Sequence, residues 1–296
     1  MTQLSIPGTE PVGLGGAPSE TPAARRTSVD RIIDTLLREM SPSEVIGQLV
    51  ALRPHAVFNA LLAIVQLPHA TMLRTEARWD AEWGRQVRPG QHPIVLLAPF
   101  GPVELYFDVS QTEPGNRARP LPVAYESMFT MTDAPQAQQL QERIIEDAKK
   151  YGVRVVHSQV GTPLAGRIRA VNGNGAQLYQ GHDCPIRWVI TLAASHSPTE
   201  QLATLTHELG HLFCGHLGAS EKDKWSQRHE VDPATKEFEA ESVTQLVLGR
   251  LAPATALPAY SGRVLNGAAT ATRADWVHIA QAADRVLKPF HKLSAG

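Results

Sequence analysis

The chain has 296 residues, of which 43% are hydrophobic and 19% charged, with a formal net charge of −1. That length suits one large domain or two ordinary ones, and the apolar content suffices for a buried core. The near-zero charge excludes a global field that would gather nucleic acid or an acidic membrane, and no apolar run reaches transmembrane length.

Residues 1–27, rich in Pro, Gly, Thr and Ser without periodicity, read as a disordered tail. A first helix is expected from Val29 to Met40, burying Ile32, Ile33, Leu36 and Leu37. Ser41-Pro42-Ser43-Glu44 is a capping box with proline at the first helical position, so a second helix starts there. An apolar segment follows from Ala56 to Gln66. After the turn signal Arg88-Pro89-Gly90, Ile94–Ala98 and Val103–Val109 read as paired strands. These elements make an α+β unit over residues 28–125, and residues 126–296 form a second unit.

The second unit opens with a polar helix, about Gln136 to Tyr151. Short strands are expected at Val153–His157, Gly166–Val171, Ala176–Gln180 and Arg187–Leu192. Asn172-Gly173-Asn174-Gly175 tolerates positive φ, which suggests that the middle two form a hairpin. The strand Arg187–Leu192 is expected to offer an edge for an extended peptide. His182, Asp183 and Cys184 read as a loop before that strand. A further capping box, Ser197-Pro198-Thr199-Glu200, opens a helix that ends in THELGHLFCGH.

That helix carries the chemistry. His207 and His211 are four residues apart, about 40° around a helix, so both imidazoles can reach one metal ion. Glu208 beside them can act as base on a metal-bound water. Catalytic zinc takes three side-chain ligands and keeps one position open. A third histidine in the extended spacing is missing: His216 comes one residue early and residue 217 is Leu. The next helix, KEFEAESVTQLVLGRL, offers Glu237, Glu239 and Glu241. Taking Ala240, Val243, Thr244, Val247 and Leu251 as its inward face, Glu237 falls at the edge of the stripe and is the first choice. Glu241 is the second, as alternative ligand or as an acceptor that orients a ligand histidine. Glu239 points to nearly the opposite side and reads as solvated. Cys214 reads as a small apolar core residue. Tyr260 is a candidate stabiliser of the transition state.

HELGH followed by EFEAE resembles the ImmA/IrrE-like metallopeptidases over roughly residues 135–265, with Glu237 implied as third ligand. The family resemblance implies control of cytoplasmic regulatory proteins. The N-terminal half is similar to the single-stranded-DNA-binding domain of ArdC-type antirestriction proteins, through FNALLAIVQLPHAT with Asn59 and Gln66, RWDAEWGRQVRPG and YFDVSQTEP. That resemblance implies a zincin-like C-terminal domain. It departs from the pattern in its charge: residues 25–120 hold 11 Arg, no Lys and 10 acidic residues. Candidate nucleic-acid contacts are Arg74, Arg78, Arg85 and Arg88, beside Trp79 and Trp83.

A C-terminal helix, about Ala274 to Leu287, is expected to close the core with Trp276, Ile279, Ala283 and Val286, leaving His278 exposed. With two cysteines and no export signal, the expected compartment is a reducing cytoplasm without disulfides. The sequence therefore points to a Zn2+ peptidase acting on a protein or peptide, with no membrane role. The alternative is a single-stranded-DNA-binding antirestriction-type protein whose zinc is structural or idle.

Overall fold

Capping chemistry sets where the second helix begins. The computed structural model describes residues 28–98, 101–121, 134–159, 166–172, 175–220, 222, 225–251, 268–271 and 273–293. The tail expected at 1–27, the tip of the Asn172–Gly175 turn, Tyr260 and the division near residue 125 lie outside them. Helix α1 (Ser28–Glu39) buries Ile33 and Leu36, but Ile32 is 44% exposed. Only the stripe through Ile33 and Leu36 faces the rest of the chain, and Ile32 lies about 100° from its neighbour. In α2 (Pro42–Ala51) the capping box is complete, with Ser41 N donating to Glu44 Oε2 at 2.7 Å.

Helix α3 (Val57–Gln66) begins without a side-chain cap of its own. Its first amides are taken instead by a distant carboxylate, with Val57 N and Phe58 N donating to Asp284 at 2.7 and 2.9 Å. Then come β1 (Leu73–Arg74), α4 (Glu76–Trp83), β2 (Arg85–Val87), β3 (Ile94–Leu96), β4 (Glu104–Asp108) and β5 (Thr112–Pro114). The order β1-β4-β3 is antiparallel, and β2 pairs with β5. Asn59 and Gln66, two turns apart on α3, bond the backbone of Leu97 and Val95 through both ends of their amides at 2.9–3.0 Å. The free edge of β3 is thereby occupied by side chains that imitate a strand, which protects it from intermolecular pairing.

The second half begins with α5 (Ala134–Ala148), followed by β6 (Val153–Ser158), β7 (Gly166–Ala170), β8 (Ala176–Tyr179), β9 (His182–Pro185) and β10 (Trp188–Ala193). β10 is central, parallel to β6 and antiparallel to β7. Three expectations are corrected here. β8 pairs with β9, not with β7, because β7 finds its partner in the far strand β10. His182, Asp183 and Cys184 accordingly lie in a strand. β10 offers no edge, since it is bonded on both sides; β6 and β7 are the edge strands. Along β10, Trp188, Ile190 and Leu192 alternate inward, as a half-buried strand requires.

Helices α6 (Pro198–Phe213), α7 (Pro233–Leu251) and α8 (Trp276–Leu287) complete the fold. Their apolar side chains join those of α2 and α3 in one cluster that includes Leu49, Ile64, Leu205, Phe238 and Ile279. Arg250 of α7 reinforces this junction by donating to His55 O and Leu49 O at 2.6 and 2.5 Å. α6 and α7 cross closely because Gly210 faces Ala240, where a Cβ would stand 3.0 Å from its Cα and carbonyl oxygen. No helix among the described residues is long and apolar enough to cross a membrane.

Candidate metal centre

The capping box at Ser197 and Glu200 starts α6, with Ser197 N donating to Glu200 Oε2 at 2.9 Å. Two turns from its end, His207 and His211 project from one face, with Nε2 atoms 3.2 Å apart. The glycine crossing brings the start of α7 over them. Glu237 Oε2 lies 3.4 Å from His207 Nε2, and its Oε1 lies 3.5 Å from His211 Nε2. Zinc binds nitrogen and oxygen at about 2.0–2.1 Å, so tetrahedral ligand atoms stand about 3.4 Å from one another. The three side chains converge at that spacing, and the donor set of two imidazoles and one carboxylate suits a divalent cation. Glu237 remains 55% exposed, so the site opens to solvent.

Electrostatics follow from the convergence. Hydrogen bonding from His207, with the His211 ring close by, holds the Glu237 carboxyl well below its ordinary range. Burial disfavours a charged His207, but Glu237 and Glu241 outweigh it and raise the ring to about 9. Glu241 is 1% exposed and its Oε2 is 3.6 Å from His207 Nδ1. It therefore sits behind His207, on the side of the ring away from Glu237.

Glu208 is 8% exposed and faces the sheet, where Ile168 N of β7 donates to its Oε2 at 2.9 Å. Burial raises its proton affinity, opposed by the neighbouring imidazoles of His211 and His207. It is a carboxylate held in place with a strengthened hold on a proton, as a general base requires.

Glu239 corrects the helical-wheel reading: it is fully buried, not solvated. Beyond its first turn α7 is buried on nearly every side, from Phe238 to Arg250, and the side of the helix that carries Glu239 is covered. Glu239 instead bonds His216 Nε2 at 2.8 Å and both terminal nitrogens of Arg228 at 2.6 and 2.7 Å. Sequence reasoning passed over His216 as a failed third ligand and did not single out Arg228. Cys214 is fully buried, and burial pushes its thiol well up.

In the N-terminal half, Arg74 is bonded to Glu82 and to Leu73 O, and Arg85 to Thr112. Arg78 and Arg88 are exposed, the first paired with Glu82 at 2.5 Å and the second bonded to Ser110 O. Trp79 is fully buried, its Nε1 donating to Phe107 O at 2.8 Å, and is not a stacking surface. His278 is half-buried and paired with Asp275.

Residues 148–258, which span both charged clusters, match the Peptidase_M78 family, the IrrE N-terminal-like domain. This part of the chain is thus similar to a peptidase family. The chain is also similar to the antirestriction ArdC protein from the R388 plasmid. Against its metal-free crystal structure the identity is 17% and the TM-score 0.34, covering 81% of this chain and 82% of that one. Against the Mn(II)-bound structure the identity is 17% and the TM-score 0.37, covering 81% and 83%. No curated protein matches by sequence.

Proposed function

We propose that the protein is a zinc peptidase that hydrolyses a cytoplasmic regulatory or DNA-associated protein. The observation that carries this reading is the convergence of His207, His211 and Glu237 at tetrahedral spacing beside a buried Glu208. A purely structural zinc has no use for that adjacent base. Zinc held by these three would supply Lewis acidity, polarising a peptide carbonyl and acidifying a coordinated water. The chain's own part is proton handling. Glu208 Oε2 is engaged by Ile168, which orients the carboxylate to take a proton and return it to the leaving amine. Glu241 lends negative charge behind His207. Residues 126–296 carry the chemistry in this reading, and residues 28–125 select the partner.

The second reading, single-stranded-DNA binding with an idle or structural zinc, has less to support it. Two of its four arginines are committed internally and Trp79 is buried.

Metal analysis of purified wild type beside Glu237→Ala tests the proposal. One zinc per chain is expected in the wild type and a large loss in the variant, with peptide hydrolysis lost in parallel. Equal zinc in both would remove Glu237 from the site. Zinc without hydrolysis, joined to salt-dependent binding of labelled single-stranded DNA by the full chain, would carry the second reading instead.

The raised His207 sets a pH dependence for the metal-free protein. A group whose folded pKa is raised stabilises fully below its unfolded value, here 6.5, and loses that contribution as pH rises through about 9. The melting temperature of chelator-treated protein should therefore fall between those limits. With saturating zinc the added stabilisation should grow over the same range, because zinc competes with the His207 proton. Parallel trends with and without zinc would remove His207 from the ligand set.

A further inference from the structure

Behind the metal-facing side of His211, a second row of buried polar groups runs away from the site. His211 Nδ1 lies 3.0 Å from His216 Nδ1, and His216 Nε2 lies 2.8 Å from Glu239 Oε2. Glu239 also accepts from both terminal nitrogens of Arg228, at 2.6 and 2.7 Å, and from Asp275 N at 2.9 Å. Cys214, His216 and Glu239 cluster closely enough to suggest a second metal site. Their partners argue against it. Both carboxylate oxygens are filled by donors, and a cation bound there would face the guanidinium across the same oxygens.

The polarity of this row can be worked out from its fixed end. Arg228 and the Asp275 amide can only donate, and Glu239 can only accept. The guanidinium already balances the carboxylate, so His216 is the neutral member and spends its single N–H at Nε2 on Glu239. Its Nδ1 then carries a lone pair and must accept. The only proton that can fill the 3.0 Å contact is on Nδ1 of His211. A neutral imidazole with its proton on Nδ1 has its lone pair on Nε2, the atom that faces His207 and Glu237.

The turn after α6 is built to close this row. Gly215 has φ +80°, and a Cβ there would meet Ser226 O at 2.0 Å, so a side chain is excluded by both conformation and space. The chain thus doubles back at once, placing His216 beneath His211, and Arg228 N docks on Gly215 O at 2.8 Å.

We propose that His216, held by Glu239 and Arg228, is a positioning residue of the metal centre, fixing the His211 tautomer that presents Nε2 to the metal. This rests on the metal-centre reading above. Metal-bound histidines commonly donate their other N–H to a fixed acceptor, and losing that acceptor typically lowers metal affinity about 10- to 100-fold. Here the acceptor is itself an imidazole.

The test uses the full chain in three forms: wild type, His216→Leu and His216→Asn. Long-range proton–nitrogen NMR on the metal-free protein reads the His211 tautomer, and competition with a chromophoric chelator reads zinc affinity. The wild type is expected to hold its His211 proton on Nδ1. His216→Leu should lose that preference and bind zinc about 10- to 100-fold more weakly. His216→Asn, whose amide oxygen falls near the place of Nδ1 and can accept, should recover most of both. An Nε2–H tautomer in the wild type overturns the proposal while leaving the zinc site standing. So does wild-type zinc affinity in a folded His216→Leu. A wild type that binds no zinc, whatever its tautomer, overturns the metal-centre reading and this inference with it. If His216→Leu does not fold, the wild-type tautomer and the Asn variant still decide.

Discussion

Glu208→Gln is expected to reduce peptide hydrolysis by about 10²- to 10⁴-fold while leaving zinc content at the wild-type level. The side chain is nearly isosteric, and its amide oxygen can still accept from Ile168 N, so the contact between α6 and β7 survives. What disappears is a carboxylate able to take a proton from the attacking water. Burial has already raised the proton affinity of that group, which makes it a stronger base than an exposed glutamate. Turnover of a mixture of quenched fluorescent peptides, measured beside zinc content, checks both expectations. Loss of zinc in the variant would mean that Glu208 holds the metal and is not the base.

The parts of this site that sequence made legible are those governed by local geometry. The approach of His207 to His211 follows from helical spacing, and the start of their helix from the reciprocal bonds of Ser197 and Glu200. The position of Glu237 at the edge of an inward stripe was also readable, because the first turn of α7 does meet solvent. The same wheel failed two residues later. Glu239 is buried because the chain before α8 closes over the far side of α7, and Asp275 N reaches its carboxylate from 36 residues away. No periodicity within α7 carries that information. Sheet register was hidden for a similar reason: β7 and β8 look like hairpin partners until β10, some twenty residues on, claims β7. His216 was set aside when its spacing excluded a third ligand; its place beneath His211 depends on the turn at Gly215, inside a stretch that reads as continuous helix.

Arg228→Met is expected to destabilise the metal-free protein by about 3–5 kcal/mol near pH 7.5, the cost of leaving a buried charge without its partner. Arg228 is largely buried and bonds both oxygens of Glu239, and it also donates to Cys214 O at 3.1 Å. In the wild type, burial pushes the Glu239 carboxyl up, but hydrogen bonds from His216 and Arg228 outweigh it and hold it below its ordinary value. That depressed carboxyl contributes stability above about pH 4.5 and loses it as pH falls through the folded value. Without Arg228 the cost of burying the carboxylate is opposed only by His216 and the Asp275 amide. Taking up a proton, whether on Glu239 or on His216, then relieves the unbalanced charge, so acidification narrows the gap between variant and wild type. Urea unfolding of both chelator-treated proteins at pH 7.5 and 5.5 measures this directly. A deficit below 1 kcal/mol, or one that widens toward acid pH, would show that Arg228 does not neutralise Glu239 in the folded chain.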